Sequence, residues 1–304
     1  MERPHPSFHG PELDSSPFGS RPTGLILSGG AALGSWQGGV LYALEKEFGF
    51  SFHSVAGTSA GSLNGVAYFQ DKTETLKSLW RDMPDGSFMR FAPRLNPPSL
   101  YSSDAVREFI GAMIDEESVR KNPRCWFYAL SVDLCRGLNQ AQYSPEAGGP
   151  WDGPLLEHVL GSAAVPFLFP PVLIRGENGG KPKMLVDGHL VSYIDLGVMV
   201  ERGVRDFLFL NVASKASLGK PRRSVRGYIS TMVDQLLQGQ VDAGLSGIKS
   251  LARKREIRAF AVHPAAPLNM SVFGFKKQEC RAAFDRGLAE AAAFERNPAA
   301  FRVL

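Results

Sequence analysis

Two short apolar runs near the start of the chain, Thr23 to Ser28 and Phe52 to Gly57, each end in small residues and lead directly into a helical pattern. This arrangement constrains the fold more than any other feature. Strands that are apolar on both faces need cover on both, and a helix returning to begin a second such strand is the crossover of a parallel sheet. Runs of strand composition recur at Trp126 to Val132, Leu138 to Tyr143, Met184 to Val186, Asp206 to Val212 and Ile257 to Val262. Helical spacing covers Glu74 to Asp82, Ser103 to Asp115, Pro154 to Ala164, Val225 to Lys254 and Lys276 to Glu295, while the Pro-rich stretch Pro84 to Ser99 reads as irregular. The expected class is α/β, a three-layer α/β/α sandwich with a central, mostly parallel sheet. Residues 23–304 are read as one domain behind a disordered tail, 1–22, rich in Pro, Ser, His and Gly.

Gly57-Thr58-Ser59-Ala60-Gly61 is a GxSxG pentapeptide between an expected strand and an expected helix. At such a turn the middle residue is strained, and Gly57 and Gly61 let the chain segments pass without a clash. Ser59 would then project at a helix N-terminus, whose dipole favours the negative charge that develops during attack on a carbonyl. The loop Ser28-Gly29-Gly30-Ala31-Ala32-Leu33-Gly34 has the same strand-to-helix setting and exposes backbone N–H groups suited to a phosphate or an oxyanion. A P-loop would need Lys after Gly34, where Ser35 stands, and a dinucleotide fingerprint would need Gly in place of Ala31. The remaining functional reading is an oxyanion hole opposite Ser59, drawn from Gly29, Gly30, Ala31 and Gly34.

Acyl transfer also needs a base. Asp187, at the end of the Leu185-Val186-Asp187-Gly188-His189 run, is the candidate, with Gly188 allowing a tight turn. A carboxylate is a weak base and has to act by direct contact in a site that excludes water. A conventional triad would instead recruit His189 or His263, while His53 and His158 read as structural.

In this order the three segments resemble the patatin-like phospholipase family, which joins a glycine-rich oxyanion loop, a GxSxG serine and a late Asp-Gly aspartate. The likeness runs from Thr23 to at least Leu196, and takes in Gly38-Gly39-Val40-Leu41 and the segment Gly161-Ser162-Ala163-Ala164-Val165-Pro166 with Phe169-Pro170-Pro171. The resemblance implies a Ser59–Asp187 dyad, backbone donors near Gly30 and Ala31, an acyl-enzyme intermediate released by water, and no cofactor or metal. Three departures stand out: Ala31 and Leu33 replace the third Gly and the basic residue of the loop, His189 follows Asp-Gly where Gly or Ala is usual, and Ser192-Tyr193-Ile194-Asp195 replaces an asparagine-rich stretch. Losing the loop cation removes a contact to a phosphate headgroup.

The expected function is therefore a lipid acyl hydrolase of phospholipase A, lipase or esterase type. The alternatives are an acyltransferase on the same site and a catalytically inactive lipid-binding protein. A net charge of +4 over 304 residues is too mild for a nucleic-acid binder. The expected partners are a lipid or acyl ester and a peripheral membrane surface, approached through Lys220, Arg222, Arg223 and Arg226 or Lys249, Arg253, Lys254 and Arg255. With neither a signal peptide nor an apolar span of about 18 residues, the expected location is cytoplasmic. Trp36, Phe88, Met89, Phe91, Phe167, Leu168 and Phe169 are the expected lining of an acyl groove. Cys125, Cys135 and Cys280 form no disulfide or zinc pattern and read as small buried hydrophobes.

Overall fold

Alternate residues of the central strands face opposite sides of one sheet, and both sides are covered. A computed structural model describes Phe18 and residues 21–175, 181–190, 194–214, 225–252 and 256–304. In chain order the strands are β1 (Thr23–Leu27), β2 (Ser54–Thr58), β3 (Phe91–Leu95), β4 (Pro98–Tyr101), β5 (Trp126–Asp133), β6 (Gly137–Tyr143), β7 (Val172–Ile174), β8 (Lys183–Asp187), β9 (Asp206–Leu210) and β10 (Arg258–Val262). The main sheet runs β10-β9-β1-β2-β5-β8-β7, with β6 on β5. Its centre, β10 to β5, is parallel, and β6, β7 and β8 are antiparallel additions.

Leu25, Leu27, Val55, Leu208 and Leu210 enter one core, whereas Ile26, Ala56, Phe207 and Phe209 enter the other, the period of two that a pleated strand imposes. The first core is covered by α1 (Gly34–Tyr42), α2 (Ala60–Phe69), α3 (Glu74–Asp82), α4 (Asp104–Met113), α5 (Glu116–Lys121), α6 (Leu155–Ser162) and α9 (Lys277–Arg296). The second lies under α7 (Gly197–Glu201) and α8 (Val225–Ala252). The three-layer α/β/α expectation holds.

Helices α1 and α9 cross backbone to backbone. A Cβ on Gly39 would lie 2.1 Å from the Phe284 carbonyl oxygen, and one on Gly287 would lie 2.1 Å from that of Trp36. Two local expectations need correction. Pro84 to Ser99 is not wholly irregular, because β3 and β4 pair as an antiparallel hairpin with a register shift between Phe91 and Arg94. Within the expected tail, Phe18 is buried against Phe50, Phe260 and Phe294, and Arg21 pairs with Asp206; residues 1–17, 19 and 20 lie outside the described residues.

Candidate active site

Strand β5 brings the two ends of the site together. On one side it pairs with β6 along its length, from Phe127↔Tyr143 to Asp133↔Gly137. The other side is shared: β2 runs parallel to Trp126–Leu130 and ends at Thr58↔Leu130, while β8 runs antiparallel and ends at Asp187↔Ser131. The C-terminal ends of β2 and β8 therefore meet head-on at adjacent residues of β5. Ser59 follows one end and Asp187 is the other. The junction has no room for a side chain at Gly188, whose added Cβ would be 2.7 Å from the Leu130 carbonyl oxygen and 2.9 Å from Thr58 Cγ2.

Ser59 sits at the N-terminus of α2 with φ 53° and ψ −124°, a left-handed backbone that a residue with a Cβ adopts only under constraint. Three features supply that constraint. A Cβ on Gly57 would be 2.4 Å from the Gly61 carbonyl oxygen, and one on Gly61 would be 2.3 Å from that of Leu27, so the elbow closes only with glycine at both positions. The Ser59 N–H donates to Ser162 Oγ at 2.9 Å, and Ser162 Oγ–H donates in turn to the Leu130 carbonyl at 2.5 Å. Ser162, at the end of α6, thus clamps the elbow to β5, a role that its motif alone did not disclose.

The glycine loop is folded against the same junction. Gly30 has φ 142° and Ala31 φ 48°, the latter strained where the resembling family carries glycine. Ala32 N–H donates to the Val272 carbonyl and Leu33 N–H to that of Gly30. Among the described residues, no hydrogen-bond acceptor is recorded for the N–H groups of Gly30, Ala31 and Ala60. All three residues line cavities that also contain Ser59. Ala60, the residue after the serine, was not among the expected donors, although a strand-to-helix elbow commonly supplies one there. Gly29 and Gly34 line neither cavity: Gly29 N–H donates to His189 Nε2 at 3.2 Å, and the bare Cα of Gly34 lets α1 pass the Ala60 Cβ.

Asp187 is 4% exposed, and its N–H donates to the Ala164 carbonyl. Its Oδ1 accepts from the His189 N–H and from His189 Nδ1, each at 2.8 Å. With Nδ1 against the carboxylate and Nε2 against the Gly29 N–H, His189 bridges Asp187 to the glycine loop. The nitrogen that a triad would turn toward the serine is occupied by a backbone amide. His263 lines neither cavity and has Nδ1 3.0 Å from the Ala213 carbonyl oxygen.

Two adjoining cavities share Ser59, Ala31, Val165 and Phe273. The first is apolar and runs inward past Leu63, Trp80, Phe88, Ile110, Phe169 and Phe275. The second holds Asp187 and His189 and is edged by Leu190 and Leu236. Of the expected groove residues, Phe88 and Phe169 line the first cavity. Trp36 does not: it is fully buried in the core and donates through Nε1 to Glu290. Phe91 and Phe167 project outward at 69% and 70% exposure.

Other titratable groups serve the scaffold. Burial pushes the Cys125 thiol up and the Cys280 thiol to about 11, whereas Cys135 is exposed, contrary to expectation. Burial lowers His158 to about 3, with Nδ1 2.7 Å from the Tyr143 hydroxyl. The unfolded chain takes up that proton near the ordinary value of 6.5 while the folded one resists it, so this histidine erodes stability as pH falls from about 6.5 toward about 3. The expected limit is about 1.4 kcal/mol per pH unit, and His158→Gln should flatten the acid limb of a urea-stability profile over that window. Among the described residues, no three His, Cys, Asp or Glu side chains converge as metal ligands.

The family model for patatin-like phospholipase matches residues 25–199, more than half of the chain and inclusive of both Ser59 and Asp187. Three curated relatives are lysophospholipases NTE1: one from Cryptococcus neoformans, 26% identical over 202 residues (63% of this chain, 11% of that protein); one from Aspergillus niger, 29% over 201 residues (64% and 12%); and one from Aspergillus terreus, 31% over 182 residues (58% and 10%). The chain thus spans about a tenth of their length. The crystal structure of VipD from Legionella pneumophila overlays loosely, with TM-score 0.35 and 13% identity, over 90% of this chain and 67% of that one. With its family model spanning the glycine loop, the serine elbow and the Asp-Gly turn, the chain belongs to the patatin-like phospholipase family.

Proposed function

We propose that the protein hydrolyses carboxylic esters of lipids by a Ser59–Asp187 dyad. Ser59 Oγ attacks the ester carbonyl as Asp187 takes the hydroxyl proton. The carbonyl oxygen, now negative, is received by the N–H groups of Gly30, Ala31 and Ala60. Collapse of that intermediate expels the alcohol, which leaves with the proton held by Asp187. Water then attacks the acyl-enzyme, and its proton passes through Asp187 back to Ser59 as the acid departs. His189 acts as a positioning residue, orienting the carboxylate and tethering it to Gly29. The observation that carries this reading is the convergence of β2 and β8 on adjacent residues of β5, beside amides without recorded acceptors.

The acyl chain fits the apolar cavity and the leaving alcohol the cavity that contains Asp187. The described lining of both has no Lys or Arg, and Leu33, at the loop's usual cation position, is buried. Recognition therefore rests on the chain rather than on headgroup charge. A fluorophosphonate probe should label the wild type and leave Ser59→Ala unlabelled. A probe that labels neither folded protein would support the inactive lipid-binding reading instead.

A further inference from the structure

The hairpin β3–β4 exposes large apolar side chains on both of its faces. Phe91 is 69% exposed, Leu95 96% and Leu100 46%. Beside them stands Phe167, 70% exposed with φ 65°, in a segment hydrogen-bonded to the hairpin: Leu100 N–H donates to the Phe167 carbonyl at 3.0 Å and Tyr101 N–H to that of Leu168 at 2.8 Å. The register pairs Leu95 with Pro98, which puts Leu95 and Leu100 on one face of the hairpin, and pairs Phe91 with Tyr101 on the other, so these large side chains project from both faces of the hairpin and from the segment beside it. Core packing does not account for them, and soluble proteins seldom leave such a group uncovered.

We propose that this hairpin, with Phe167 beside it, is the element that the protein inserts into an anionic lipid surface. Charge supports that occupant, because between Asp85 and Asp104 the sequence carries only Arg90 and Arg94 as charged residues, both exposed, and between Glu157 and Arg175 no Asp, Glu, Lys or Arg. Apolar side chains flanked by arginines without carboxylates suit the boundary between headgroups and acyl chains. Position supports it too. Phe88 lies just before the hairpin, and Val165 and Phe169 flank Phe167; all three line the apolar cavity at Ser59, so a lipid drawn from the surface has a short path inward. A second copy adding a strand is disfavoured, since β3 carries Pro93 and Arg94 and β4 starts at Pro98, residues that blunt a strand edge. The basic residues of 220–226 and 249–255 are not needed for this docking; apart from the exposed Lys249, those expected membrane contacts lie outside the described residues or side chains.

The inference goes with the lipid-ester reading of Ser59 but is tested by binding. Wild type and Ser59→Ala are sedimented with vesicles of phosphatidylcholine containing phosphatidylglycerol, and with phosphatidylcholine alone. Both should bind the anionic vesicles. The double variant Phe91→Ser/Leu95→Ser should bind about tenfold more weakly or worse, with an unchanged melting curve and unchanged turnover of a soluble short-chain ester. Arg90→Gln/Arg94→Gln should remove the preference for anionic vesicles. Equal binding by the Phe91/Leu95 variant, no binding by wild type, or a wild-type dimer that this variant converts to monomer would each overturn the proposal, the last in favour of a second copy. Vesicle binding with no probe labelling of Ser59 would overturn the hydrolase reading and leave the membrane docking intact.

Discussion

Asp187→Asn lowers kcat for ester hydrolysis by about 10²–10⁴-fold, the usual contribution of a positioned general base. Asparagine keeps the size of the side chain and an oxygen able to accept from the His189 N–H and Nδ1, so the turn at Gly188 survives. What it lacks is an ionised oxygen to take the Ser59 proton. The loss should fall on kcat, with far-UV circular dichroism and the urea midpoint close to wild type. His189→Ala separates a base from a positioning residue. If His189 only orients the carboxylate and the loop, the alanine variant loses less than Asp187→Asn. If His189 were the base, it would lose as much. Retention of most activity by Asp187→Asn, together with inactivity of His263→Ala, would replace the dyad with a triad.

The second large effect is on stability. Gly39→Ala puts a methyl group 2.1 Å from the Phe284 carbonyl oxygen, and Gly287→Ala does the same at that of Trp36. Backbone cannot swing aside as a side-chain tip can, so α1 and α9 have to separate. Each substitution should cost about 1–3 kcal/mol or more, read as a lower urea midpoint at unchanged slope. The double variant should cost less than the sum, because one separation of the helices relieves both clashes. Gly247→Ala in α8 is the control: nothing lies within 4 Å of its added Cβ, and alanine should stabilise the helix by about 0.5–1 kcal/mol.

Gly57, Ser59 and Gly61 form a local device: a strand turning into a helix within five residues leaves no alternative to small neighbours, and that steric rule is visible in the string itself. The strands were legible for a similar reason, since β1, β2, β5 and β9 are apolar on both faces as buried parallel strands must be. The hairpin was not, because Pro93, Pro97 and Pro98 speak against a strand while its partner across the turn decides otherwise. Trp36 lies in the core and not along the groove, because composition does not tell which side of a helix meets a cavity.

What the sequence determined by itself was the α/β class, the elbow at Ser59 and the family. Only the tertiary structure decided that Ser59 and Asp187 share a cavity, that Ser162 pins the elbow, and that His189 joins the carboxylate to Gly29. The reason is that hydrogen-bond register along β5 is a relation between distant segments: short-range sterics choose the turn, but the pairing of Thr58 with Leu130 and of Asp187 with Ser131 exists only once the sheet has formed.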